Sequence, residues 1–118
     1  MKTRIAIIIA LIVSFVGLSA YADDYNSRQA RQYTKEAEYY QKKAEGYRRE
    51  AEYYLKKAEG YQREAAYYTR KGDSDRAKTQ LRYAENAMDN YKTQLRYAAN
   101  ADEKASDYLR KASNLLRK

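Results

Sequence analysis

Alanine returns at every seventh position from Ala30 through Ala37, Ala44, Ala51 and Ala58 to Ala65, and tyrosine keeps step three residues later at Tyr33, Tyr40, Tyr47, Tyr54, Tyr61 and Tyr68. Spacings of three and four lay both rows on one stripe of an α-helix. A strict seven-residue apolar period winds such a helix around a partner in a left-handed supercoil. The pattern predicts a helix over about 27–71. It stops at Arg70-Lys71-Gly72-Asp73-Ser74-Asp75, where two cations and a glycine suit a helix C-terminus and Asp73 or Ser74 can cap the next N-terminus. A turn at 72–74 and a second helix over about 75–117 follow. The second stripe sets Ala77, Ala84, Ala98, Ala105 and Ala112 beside Leu81, Met88, Leu95, Leu109 and Leu116, with Tyr91 and Asp102 interrupting it.

The expected fold is all-α: a long antiparallel helical hairpin, coiled-coil-like, in which small residues face large ones. Dimerisation would convert it into a four-helix bundle. Breaks at Met88-Asp89-Asn90, at Asn100-Ala101-Asp102, or at Gly46 or Gly60 would give a compact three- or four-helix bundle instead, but the heptads run through all four places without a slip.

The first helix is built on a fourteen-residue unit, EAEYYQKKAEGYRR over Glu36–Arg49, EAEYYLKKAEGYQR over Glu50–Arg63 and EAAYYTRKG from Glu64. The second echoes itself at Ala77–Asn90 and Tyr91–Lys104. With alanine as a and tyrosine as d, row f is Arg28, Lys35, Lys42, Arg49, Lys56, Arg63 and Arg70, and row b holds Glu38, Glu45, Glu52 and Glu59. Each glutamate thus precedes a base by four, the favourable order at about 0.2–0.5 kcal/mol per pair, and such a stripe is ordinarily solvated. Its second reading is a track for a polyanion, extended on the other helix by Arg82, Arg96, Arg110 and Arg117.

Row c alternates the largest and smallest choices: Tyr39, Gly46, Tyr53, Gly60, Tyr67. Glycine inside a helix costs about 1 kcal/mol relative to alanine, so two of them in phase imply a close approach. Tyr83 and Tyr97 occupy a matching flank of the second helix. These seven residues are the candidate self-association seam, since tyrosine buries a large ring while its hydroxyl stays wet. The plainer alternative lays each c-row tyrosine under the lysine four residues on, Lys43, Lys57 or Lys71, as an exposed cation–π pair. Stacking of bases on these rings is disfavoured, because most tyrosines sit at core spacing.

Residues 1–22 stand apart. Lys2 and Arg4 open them, Ile5–Leu18 carries no charge, and Ala20-Tyr21-Ala22 fits a small-x-small cleavage site. The apolar run is shorter than the ~20 residues of a spanning helix, so a cleaved signal peptide is the expectation, with a helical-hairpin domain at 23–118 and a destination in the periplasm or at the cell surface. The whole chain has a formal net charge of +8, and removing the leader's two bases leaves +6. That balance favours anionic envelope polymers over neutral ligands. Cysteine and histidine are both absent, which removes disulfides, thiol nucleophiles, Ser-His-Asp triads and the usual transition-metal sites. No enzyme activity, cofactor or small-molecule substrate is expected.

Three resemblances follow from these motifs. Ala65–Ala84, with Gly72-Asp73 at the turn and Ala77 beyond it, resembles the hairpin of a tetratricopeptide repeat, without that family's 34-residue period. A leader followed by short alanine-rich helices is similar to periplasmic small metal-binding helical bundles, whose histidines are missing here. The alanine heptads and the closing Arg117-Lys118 resemble the alanine-zipper lipoproteins of Gram-negative envelopes, which implies attachment to peptidoglycan through Lys118. The acylated cysteine of those proteins is missing. The expected function is that of an exported, non-enzymatic structural or interaction protein that self-associates through its Ala/Tyr seams. The alternatives are a basic binder of envelope polyanions or extracellular nucleic acid, and a peptidoglycan-associated envelope protein.

Overall fold

A computed structural model describes residues 24–117. The expected leader with its cleavage site, and Lys118, lie outside the described residues. The protein is an all-α helical hairpin of α1, Asp24–Lys71, and α2, Ser74–Leu116. Helix α1 begins three residues ahead of the position its periodicity marked. It passes Gly46 and Gly60 unbroken, and α2 runs through 88–90 and 100–102 without a second turn.

The reversal is compact because one residue serves both helices. Gly72 takes φ +80, a conformation that costs a Cβ-bearing residue energy. The Gly72 amide donates to the Thr69 carbonyl at 3.1 Å and the Asp73 amide to the Tyr68 carbonyl at 2.9 Å, which closes α1 as a Schellman motif. Asp73 then caps α2. Its Oδ1 accepts from the Arg76 amide at 3.1 Å, and its carbonyl accepts the first helical bond from Ala77 at 3.1 Å. Of the two expected caps, Asp73 makes the bond.

The described chain packs as two units. The turn-bearing unit, Glu45–Ala98, buries Ala51, Ala58 and Ala65 of α1 and Ala77, Ala84, Ala87 and Ala98 of α2. The second unit joins 24–44 to 99–117. Its core is Ala30, Ala37, Ala105, Leu109 and Ala112, with Tyr33, Tyr40, Tyr108 and Leu116 packed around it. Asn26 Nδ2 donates to the Leu115 carbonyl at 3.3 Å, and the buried Thr34 hydroxyl donates to the Ala30 carbonyl at 2.9 Å.

The a-row alanines are buried as expected on both helices, but the large partner row of α2 is corrected. Leu81 and Leu95, expected inside, are 53% and 39% exposed, while Ala87, three residues after Ala84, is buried. The cause is the size of the tyrosines opposite. Tyr61 lies 5.5 Å from Tyr83, and Tyr47 lies 5.4 Å from Tyr97, between ring centroids. Those contacts turn α2 so that the edge carrying Tyr83 and Tyr97 faces α1. Beside the rings α2 buries Ala84, Ala87 and Ala98, and Leu81 and Leu95 are left on the other flank of that seam, about half exposed.

Candidate association surface

On α1 within Glu45–Ala98, Tyr47, Tyr61 and Tyr68 of the d row each rest against a residue of one α2 row whose positions are spaced by multiples of seven. Arg76 sits 5.7 Å over the Tyr68 ring, Tyr83 meets Tyr61, and Tyr97 meets Tyr47. Tyr54 shares an open cleft of about 150 Å³ with Lys57, Tyr61, Tyr83, Asn86 and Asn90. In the second unit the same two rows meet through cations: Lys104 lies 5.3 Å over Tyr40, and Lys111 5.8 Å over Tyr33. Tyr108 adds a stacked contact to Tyr40, 5.8 Å away with the planes 9° apart.

The c-row tyrosines stand beside this ladder and face solvent. Tyr53 is 52% exposed, set edge-on to Tyr54 at 5.3 Å, with Lys57 Nζ 5.1 Å above its ring. Tyr67 is 43% exposed and repeats the arrangement with Tyr68 and Lys71. In the other unit Tyr39 does so with Tyr40 and Lys43. The cation–π pairing expected as the plainer alternative is therefore present, and it leaves half of each ring uncovered. Tyr53 also acts on Lys57: a hydrogen bond that the Lys57 ammonium donates to the Tyr53 hydroxyl oxygen first, then the electrostatic effect of Tyr53 and Tyr61, raises the Lys57 pKa above its ordinary value.

Gly46 and Gly60 alternate with these rings, and the chain itself does not use their lack of a side chain. A Cβ built on Gly46 meets nothing within 4 Å, and one on Gly60 meets only the tip of Arg63 at 4.0 Å. Among the described residues no close approach accounts for either glycine. Tyr83 and Tyr97, expected on the same seam, are exposed but already in tilted ring contact with Tyr61 and Tyr47, so they border the surface rather than stand free on it.

The g row completes the surface, and its acidic half escaped the sequence reading. Glu50, Lys57, Glu64 and Lys71 follow Gly46, Tyr53, Gly60 and Tyr67 by four residues each. The signal was present as a fourteen-residue alternation of charge. The expectation from sequence covers only its lysines, as partners of the rings.

The expected polyanion residues Arg28, Lys35, Lys42, Arg49, Lys56, Arg63, Arg70, Arg82, Arg96, Arg110 and Arg117 are all exposed. They do not form one patch. Heptad position turns each row away from its seam, so in Glu45–Ala98 the α1 row and Arg82 and Arg96 of α2 lie on opposite outer faces. Lys56 pairs with Glu52 at 3.5 Å and Arg110 with Asp107 at 2.6 Å. Among the described residues no group of three His, Cys, Asp or Glu is placed to hold a metal ion, and no helix is long and apolar enough to cross a membrane.

No protein-family model matches the chain, and no curated protein or solved structure is significantly similar to it.

Proposed function

We propose that this chain is an exported, non-enzymatic structural protein of the periplasm or cell surface, whose hairpins associate with one another through the tyrosine- and glycine-bearing flank of α1. The observation that carries the reading is the open space at Gly46 and Gly60. Each glycine weakens its helix by about 1 kcal/mol, no contact among the described residues offsets that, and half-exposed aromatic rings border both sites. A second protein surface accounts for glycine and tyrosine together. Sedimentation equilibrium of the exported protein over a wide concentration range tests it: association should strengthen with concentration, and a monomer at the highest concentration overturns it.

The second reading, a basic binder of envelope polyanions, is supported by the exposure of the f-row bases. Retention on heparin or lipopolysaccharide that falls steeply with salt, and that is lost when Arg49, Lys56 and Arg63 become glutamine, would favour it over assembly.

A further inference from the structure

We infer that two copies pair antiparallel along α1, with the two-fold axis at Gly60, so that Gly60 faces the partner's Gly60 and Tyr53 lies against the partner's Tyr67. This rests on the self-association reading and specifies its geometry.

Within Glu45–Ala98 the exposed flank of α1 alternates in two respects at once. At Gly46 and Gly60 it is flat and carries an acid on its g-row edge, Glu50 or Glu64, with Arg49 or Arg63 on the f-row edge. At Tyr53 and Tyr67 it is raised and, through Lys57 and Lys71, positive. Such a surface can meet its own copy in two kinds of register. In one, each tyrosine enters the partner's glycine notch. In the other, glycine faces glycine and tyrosine lies beside tyrosine.

Shape alone suggests the first, and charge rejects it. When two copies of a helix pack antiparallel about a two-fold axis, the same flanking row of each lies on the same side, so row g runs against row g. With the axis midway between Tyr53 and Gly60, Lys57 meets the partner's Lys57, and Glu50 meets the partner's Glu64. Every g-row contact is then between like charges.

Moving the axis to Gly60 reverses every sign. Lys57 lies three residues before the axis and Glu64 four after it, so each lysine meets the partner's glutamate. Glu50, ten before, likewise meets the partner's Lys71, eleven after. The axis is also where the helices approach most closely, and a residue without a side chain suits that point better than a ring does. The basic f row flanks the seam on its other side and opposes itself in every antiparallel register, so it does not select among them.

Charge variants and a single thiol test the geometry in protein expressed from the full sequence. An acidic chain, Lys57→Glu with Lys71→Glu, and a basic chain, Glu50→Lys with Glu64→Lys, should each self-associate about tenfold or more weakly than the unsubstituted protein, and mixing them should restore association. Because the chain has no cysteine, Gly60→Cys introduces the only thiol. It should form a disulfide-linked dimer far faster than Gly46→Cys at equal concentration, since only the former lies on the axis. If the unsubstituted protein is a monomer, both the proposed function and this geometry fall. If it associates but the charge variants match it, or the two thiol variants cross-link alike, the geometry alone is overturned.

Discussion

Leu109 and Leu81 belong to one row by sequence and to different environments in the fold, which makes truncation of each to alanine a direct test of how α2 is turned. Leu109 is 2% exposed among Ala30, Ala37, Ala105 and Ala112, whereas Leu81 is 53% exposed. Leucine to alanine removes the equivalent of about three methylenes, worth about 2.4 kcal/mol at ~0.8 kcal/mol each when fully buried. A residual cavity at Leu109 brings the loss to about 3 kcal/mol. At Leu81 about half of the transfer contribution remains, near 1 kcal/mol, and alanine's helix propensity offsets part of it. For a domain of this size each kcal/mol moves Tm by about 4–8 °C, so Leu109→Ala should lower it by about 12–24 °C and Leu81→Ala by about 8 °C at most. Thermal unfolding followed by far-ultraviolet circular dichroism at one low concentration reads both. Equal losses at the two positions would mean that the leucine row faces α1 after all and that the account of the tyrosines displacing it is wrong.

The same substitution should act in opposite directions at two glycines. Gly72→Ala forces a side chain onto φ +80 and should cost about 1–2 kcal/mol, whereas Gly46→Ala enters open space in a helix and should gain about 0.5–1 kcal/mol. Urea unfolding midpoints check the pair, and a destabilised Gly46→Ala monomer contradicts the open space found there. Asp73→Ala removes the cap of α2 and should cost about 1 kcal/mol in the same assay, with Asp73→Asn retaining most of the stability. Tyr53→Phe should lower the pKa of Lys57 toward the ordinary lysine value in an NMR titration of its side chain, because the hydrogen bond that Lys57 donates to the Tyr53 hydroxyl oxygen is the first cause of the upward shift. A raised lysine pKa means that the contact is complete below the ordinary value and fades as pH climbs through the raised one. An unchanged titration would remove Tyr53 as the cause.

Much of the fold was legible because alanine at a strict seven-residue spacing has one good explanation. The buried rows at Ala30, Ala37, Ala44, Ala51, Ala58 and Ala65, and the reversal at Gly72 and Asp73, stand where periodicity and capping chemistry put them. The partner row of α2 was not legible. Leu81 and Leu95 are the larger apolar residues and draw the eye to the inside, yet what faces α1 is decided by the rings on α1. Tyr47 and Tyr61 meet Tyr97 and Tyr83, and that contact sets Ala84, Ala87 and Ala98 in the seam in place of Leu81 and Leu95. A hydrophobicity pattern records each helix alone and carries no volume from the opposite one. The candidate surface was half visible for a similar reason. Its tyrosines and glycines stand out by size, but the role of Glu50 and Glu64 emerges only when a second copy is laid against the first.

The ring pairs make this molecule its own optical probe. With fifteen tyrosines and no tryptophan, all near-ultraviolet absorption by side chains above the single phenylalanine's weak band is phenolic. Centroids 5.1–5.5 Å apart place neighbouring chromophores close enough for their excited states to interact. Pairs such as Tyr53 with Tyr54 are neighbours along one helix, whereas Tyr47 with Tyr97 and Tyr61 with Tyr83 exist only while the two arms are closed. Tyr108 makes the same kind of inter-helix pair with Tyr33 and Tyr40. Near-ultraviolet dichroism therefore separates closure of the arms from helix content without an added label, and replacing Tyr83 and Tyr97 with leucine removes the part of the closure signal that arises within Glu45–Ala98 while leaving the far-ultraviolet spectrum helical.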